Sequence, residues 1–175
     1  MRKPLTDVQA VLYGGLAVGV LDILEAFVFW AFRGVTPDRV FQGVASGLLG
    51  RASFAGGAPT VLLGAILHFV IAFLVVKFYF LVSGRIRTLR RRPYLWGPIY
   101  GVGVYLFMYL VVLPLSAARA PTFAPVNVAN GLFAHIVCVG IPAALFARAA
   151  EGPGAATGPG AADTDAGAAA NRSAR

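Results

Sequence analysis

The sequence predicts an all-α membrane protein: a bundle of four transmembrane helices with an amphipathic surface helix between the first and second spans. Three observations carry this expectation. Of the 175 residues, 58% are hydrophobic, and the mean hydropathy is +0.76. Four separate apolar runs have the roughly 20-residue length needed to cross the hydrocarbon core of a bilayer. With short connections, these runs use almost all of residues 1–150, which leaves no room for a separate soluble domain. The net charge of +8 could suggest a nucleic-acid partner. However, the arginines lie in loops beside apolar spans, where they set topology and meet anionic lipid, so no nucleic-acid partner is expected. The single cysteine, Cys138, excludes an intramolecular disulfide and Cys-based metal motifs, and is read as a small buried hydrophobe.

The first span covers about 8–32. It is too long for a signal-peptide core and lacks a small-residue cleavage site, so it reads as a retained signal-anchor helix. It also carries Asp22 and Glu25 well inside the apolar run. Two central acids cost roughly 5–7 kcal/mol, and about thirteen Leu, Ile, Phe and Val return roughly 4–8. The helix is therefore marginal alone and benefits from partners. Gly15, Gly19, Asp22 and Ala26 share one stripe with Glu25 on its flank, so a second helix can approach closely beside the carboxylates.

Residues 33–58 form the longest connection. Thr36 and Pro37 suit a helix start, and Gly50 or the Gly56-Gly57 pair suits its end. Between them Val40, Phe41, Val44, Ala45, Leu48 and Leu49 recur opposite Arg39, Gln42, Ser46 and Gly50. That pattern predicts an amphipathic helix over 37–50, lying on the membrane surface as a lid over the bundle, with a re-entrant segment as the alternative. The second span, about 60–82, contains His68, and Lys77 near its far end can snorkel to the headgroups.

Arg85, Arg87, Arg90, Arg91 and Arg92 crowd the next short loop and make it a candidate contact for anionic lipid. The third span, about 95–115, has Tyr94 and Trp96 at interface level and Pro114 near its exit. The fourth, about 127–148, contains His135 and Pro142, and the proline is expected to kink the helix and free the Cys138 carbonyl. Residues 151–175 are Gly-, Ala- and Pro-rich and are expected to be a disordered tail.

Four crossings place both termini and the arginine loop on one side. Arg2, Lys3, the five loop arginines, Arg148, Arg172 and Arg175 face Arg33, Arg39, Arg51 and Arg119 across the membrane. This imbalance predicts that both termini are cytoplasmic. Spans two and four also align without gaps: Thr60, Gly64, His68 and Val70 match Asn127, Gly131, His135 and Val137. Gly15-x-x-x-Gly19-Val20 and Gly97-x-x-x-Gly101-Val102 relate spans one and three. The alignment suggests a two-helix hairpin used twice, the copies related by an axis along the membrane normal.

With this topology Asp22 and Glu25 lie roughly 15 and 10 Å from the outer end of their span, and His68 and His135 roughly 12 Å from theirs. All four fall in one layer of the outer half-membrane, each histidine on its own small-residue stripe. Such a cluster could share protons or hold a divalent cation, which would suit a small proton- or cation-coupled transporter or channel component. The plainer reading is structural, because intramembrane histidines and protonated carboxyls commonly hydrogen-bond neighbouring helices. No metalloprotease, nucleophile-elbow, phosphate-loop or dinucleotide motif stands where its chemistry would need it, so neither an enzyme nor a cofactor is expected. The expected partners are the lipid bilayer and either a second copy or another membrane protein.

Several stretches together carry a resemblance. These are Gly19-Val-Leu-Asp22, the run Phe41–Gly50, Leu63-Gly-Ala-Ile-Leu-His68-Phe, Val111-Val-Leu-Pro-Leu-Ser116, and His135 with Val139-Gly-Ile-Pro142. The set resembles small four-helix bacterial inner-membrane proteins of uncharacterised role, similar in layout to the YagU-type proteins. The resemblance covers about 14–145. It implies a bacterial plasma-membrane location and supplies no ligand or catalytic residue.

Overall fold

A computed structural model describes residues 4–119 and 123–151. The expected disordered tail, and Arg2, Lys3, Arg172 and Arg175 of the charge comparison, lie outside the described residues. Six helices and no strand are present among those described. Four of them, α1 (Asp7–Ala31), α3 (Gly57–Arg85), α5 (Pro93–Leu115) and α6 (Pro125–Ala149), are long and apolar enough to cross a membrane. Between them stand α2 (Pro37–Leu49), followed by a 3₁₀ turn at Gly50–Ala55, and the short α4 (Arg87–Arg91).

Local signals explain the helix ends. Thr6 and Gln9 form a reciprocal capping box: Thr6 Oγ1 accepts from the Gln9 N–H at 3.2 Å, and Gln9 Oε1 accepts from the Thr6 N–H at 3.0 Å. Thr6→Ala is expected to cost about 1 kcal/mol, measured as a lower thermal midpoint in detergent. Gly34, at φ +73°, breaks the chain after α1 where an L side chain would be strained. Thr36 occupies the N-cap of α2, but its hydroxyl donates to the Asp38 carboxylate instead of accepting from the backbone.

The bundle assembles as two antiparallel pairs, α1 with α3 and α5 with α6, joined because α6 also packs on α1 and α3. The core between α1, α3 and α6 is built of Val18, Ala72, Val76, Tyr79, Val139, Ala143, Ala144 and Ala147. Small residues dominate because lipid tails are as apolar as the helices, so close packing replaces the hydrophobic effect as the adhesive. Both pairs use glycine stripes, in different ways. A Cβ at Gly15 or Gly19 would strike the Phe73 or Phe69 ring, whereas one at Gly97 or Gly101 would strike the backbone of α6. The first pair is ring-on-glycine and the second is backbone-on-backbone.

At one end of the bundle, which we call the arginine end, the Leu5 N–H donates to Ala149 O at 3.0 Å, and α4 packs on the end of α6. The arginine loop is thus a helical turn held in place. Arg90 Nε donates to Ser83 Oγ at 3.0 Å with its guanidinium 4.6 Å from the Phe80 ring centroid, and the Tyr79 hydroxyl donates to Leu89 O at 2.9 Å. At the opposite end α2 packs against the first turns of α3, with the Phe41 carbonyl filling the space beside Gly64. The Ala117 N–H donates to Gly47 O at 2.9 Å, so α2 ties the two helix pairs together.

Two departures from the expected chain stand out. The face that α2 turns to the protein carries Gln42, Ala45 and Ser46, while Leu48 and Leu49 stay exposed. Helix α2 is a brace against α3: Phe41 is half-buried with its ring edge-on to Phe27, while the exposed side carries Asp38 and Arg39 near its start and Leu48 and Leu49 near its end. Second, α5 and α6 each contain a π turn, at Met108–Val112 and His135–Gly140, and each turn ends two residues before a proline, Pro114 or Pro142. The Leu113 N–H reaches back five residues to Met108 O, and the Ile141 N–H to Ile136 O. Proline lacks an N–H and its ring crowds the preceding turn, and local widening of the helix accommodates both defects.

Candidate functional site

The polar residues singled out in the spans lie toward the α2 end, above the alanine-rich core. Each is placed by the helix contact beneath it. Gly19 has no side chain, so α3 comes close enough for His68 Nε2 to lie 2.8 Å from Gly19 O. A carbonyl only accepts, so Nε2 carries the proton and donates. The carbonyl thereby uses its second lone pair, beyond the one engaged in the α1 ladder. His68 is buried and stands edge-on to Phe69, with ring centroids 5.3 Å apart.

His135 occupies the equivalent position in the sequence alignment and behaves differently. Its Nδ1 lies 2.8 Å from Gly131 O of its own helix, so it locks its rotamer rather than joining two helices. Its other neighbour is Tyr105, edge-on with centroids 5.5 Å apart. Tyr105 lies against Gly131 and is 3% exposed, and its hydroxyl has no hydrogen-bond partner among the described residues. Asp22 and Glu25 are half-buried on α1, close enough to interact electrostatically. The Asn130 side-chain amide donates to the Glu25 carboxyl group, and Cys138 stands near both acids.

The four predicted residues divide among separate contacts. Asp22 and Glu25 stand together with Asn130, His68 faces the α1 backbone, and His135 faces Tyr105. No group of three or more His, Cys, Asp or Glu side chains comes close enough to hold a metal ion among the described residues. Convergence of two carboxylates and two imidazoles on a shared cation is therefore not what the fold builds. Reading the sequence missed Asn130 and the tyrosines. Tyr100 was equally silent, though its hydroxyl donates to Val75 O at 2.7 Å and links α5 to α3. A tyrosine placed mid-span is the signal that would have found Tyr105.

Fold and site together define a multi-pass, all-α membrane protein with four candidate spans and intramembrane polar contacts. No family model matches the chain, and neither the curated proteins nor the solved structures contain a match. The likeness to YagU-type proteins rests on the quoted residues alone.

Proposed function

We propose that the chain is a structural or accessory protein of the bacterial plasma membrane, whose intramembrane polar side chains fasten helices to one another. The observation that supports this most is the His68–Gly19 hydrogen bond, because it spends the proton-bearing ring nitrogen on the scaffold. Tyr100 and Tyr79 spend their hydroxyls in the same way. The reading contains no catalytic step. The charge balance of the loops favours cytoplasmic termini. Arg90 is turned into the fold, and the exposed Arg85, Arg87 and Arg92 support contact with anionic headgroups. Only 11% of the most apolar stretch of α5 is buried, so this helix offers a broad face to lipid, a second copy or another membrane protein.

Reconstitution into proteoliposomes tests the reading against a proton- or cation-coupled transporter. The Asp22→Asn, Glu25→Gln double variant is expected to show the same ion flux as the parent at every pH. A pH-dependent flux in the parent that Asp22→Asn abolishes, in protein that still folds, would establish transport instead.

A further inference from the structure

A cleft of about 570 Å³ opens between the start of α2 and the first turns of α3. Its walls divide by chemistry. Val61, Leu62 and Ala65 of α3 form an apolar side, and Asp38 and Gln42, one turn apart on α2, form a polar side. Gln42 is 4% exposed; its Nε2 donates to Thr60 Oγ1 at 3.4 Å, while its Oε1 has no hydrogen-bond donor among the described residues. A buried amide oxygen without a donor is destabilising, so Gln42 leaves an unfilled demand for an N–H or O–H beside the cleft. Asp38 is the sole Asp or Glu between Ala26 and Ala150. The Thr36 hydroxyl beside it holds its carboxyl below the usual carboxylate range, so it is ionised at neutral pH. Leu62 in the cleft wall is itself exposed, as are Leu48 and Leu49 at the end of α2 and Phe54 in the turn that follows, so this end of the bundle suits the boundary between headgroups and acyl chains.

We propose that this cleft binds a lipid with a primary-ammonium headgroup, the ammonium lying between Asp38 and Gln42 Oε1 and an acyl chain lying along Val61, Leu62 and Ala65. The occupant follows from complementarity with each wall. An ammonium carries both the positive charge that Asp38 attracts and the N–H donors that Gln42 Oε1 lacks. A quaternary ammonium has the charge without the donor. An anionic headgroup meets the Asp38 charge with like sign, and a water-soluble amine leaves the apolar wall uncovered. The inference goes beyond the accessory role and does not depend on it.

The test uses the full chain in detergent with phosphatidylethanolamine, phosphatidylcholine and phosphatidylglycerol of identical acyl composition, scored by native mass spectrometry. Phosphatidylethanolamine is expected to be retained about tenfold more than phosphatidylcholine, as one charge-assisted hydrogen bond implies. Asp38→Asn, a fully exposed site that leaves the packing alone, is expected to abolish that preference. Val61→Trp fills the cleft and is expected to remove retention without loss of helicity. Equal retention of the ethanolamine and choline lipids by the parent overturns the proposal. So does a preference for phosphatidylglycerol, or an ethanolamine preference that survives Asp38→Asn.

Discussion

Gly101→Leu is expected to separate α5 from α6 and to cost about 3 kcal/mol or more, beyond the usual range for overpacking a core. The reason is what surrounds the site. A side chain at Gly101 would run into the His135 carbonyl and the Ile136 backbone, and one at Gly140 would meet the Gly97 carbonyl and Gly101 itself. Neither neighbour is a flexible side chain that could swing aside. The two backbones touch over this stretch, so relief requires moving a whole helix and the contacts it makes with α1. Thermal unfolding and size-exclusion profiles in detergent measure the effect. Gly103→Leu serves as the control, because nothing lies within 4 Å of a Cβ there, and a change within about 0.5 kcal/mol is expected.

His68→Ala is expected to lower stability by about 2–4 kcal/mol, with the cavity contributing more than the hydrogen bond. Interhelical hydrogen bonds in membrane bundles average about 0.6 kcal/mol and reach about 2. The imidazole is also buried against Phe69, and truncating it empties that volume at the α1–α3 contact. His135→Ala is expected to cost less, about 1 kcal/mol, because its hydrogen bond closes within its own helix and it is less buried. A matched pair of melting curves checks this. Equal losses at both histidines would show that the interhelical bond carries no special weight.

The four spans were legible because the physics that encodes them is one-dimensional. In lipid a backbone must satisfy its own hydrogen bonds, so a long apolar run has little choice but a helix. The helix between Thr36 and Gly50 was equally plain, as its proline and glycine punctuation stands in the sequence. The direction of its faces was not. Burying the apolar side holds when water is the solvent, whereas next to a membrane the exposed side of α2 can carry Leu48 and Leu49 and the protein side Gln42 and Ser46. The polar layer was half legible. Counting residues fixes depth along the membrane normal, which brought Asp22, Glu25, His68 and His135 to one level. It does not fix azimuth, so it missed that His68 turns to α1 while His135 turns to Tyr105. Pro142 signalled a disturbed helix, but whether the chain answers with a kink or a widened turn depends on the neighbour. Here the flat glycine face of α5 leaves room for the wider backbone.

That widened turn divides α6 into two half-helices of different phase. A residue added to an otherwise regular helix rotates everything beyond it by about 100°. Gly131 before the turn and His135 at its start address α5 through Tyr105; beyond it, Ala143, Ala144 and Ala147 sink into the core shared with α1 and α3. A single span thus holds α5 along its whole length and, from the seam at His135–Gly140 onward, also closes the core with α1 and α3.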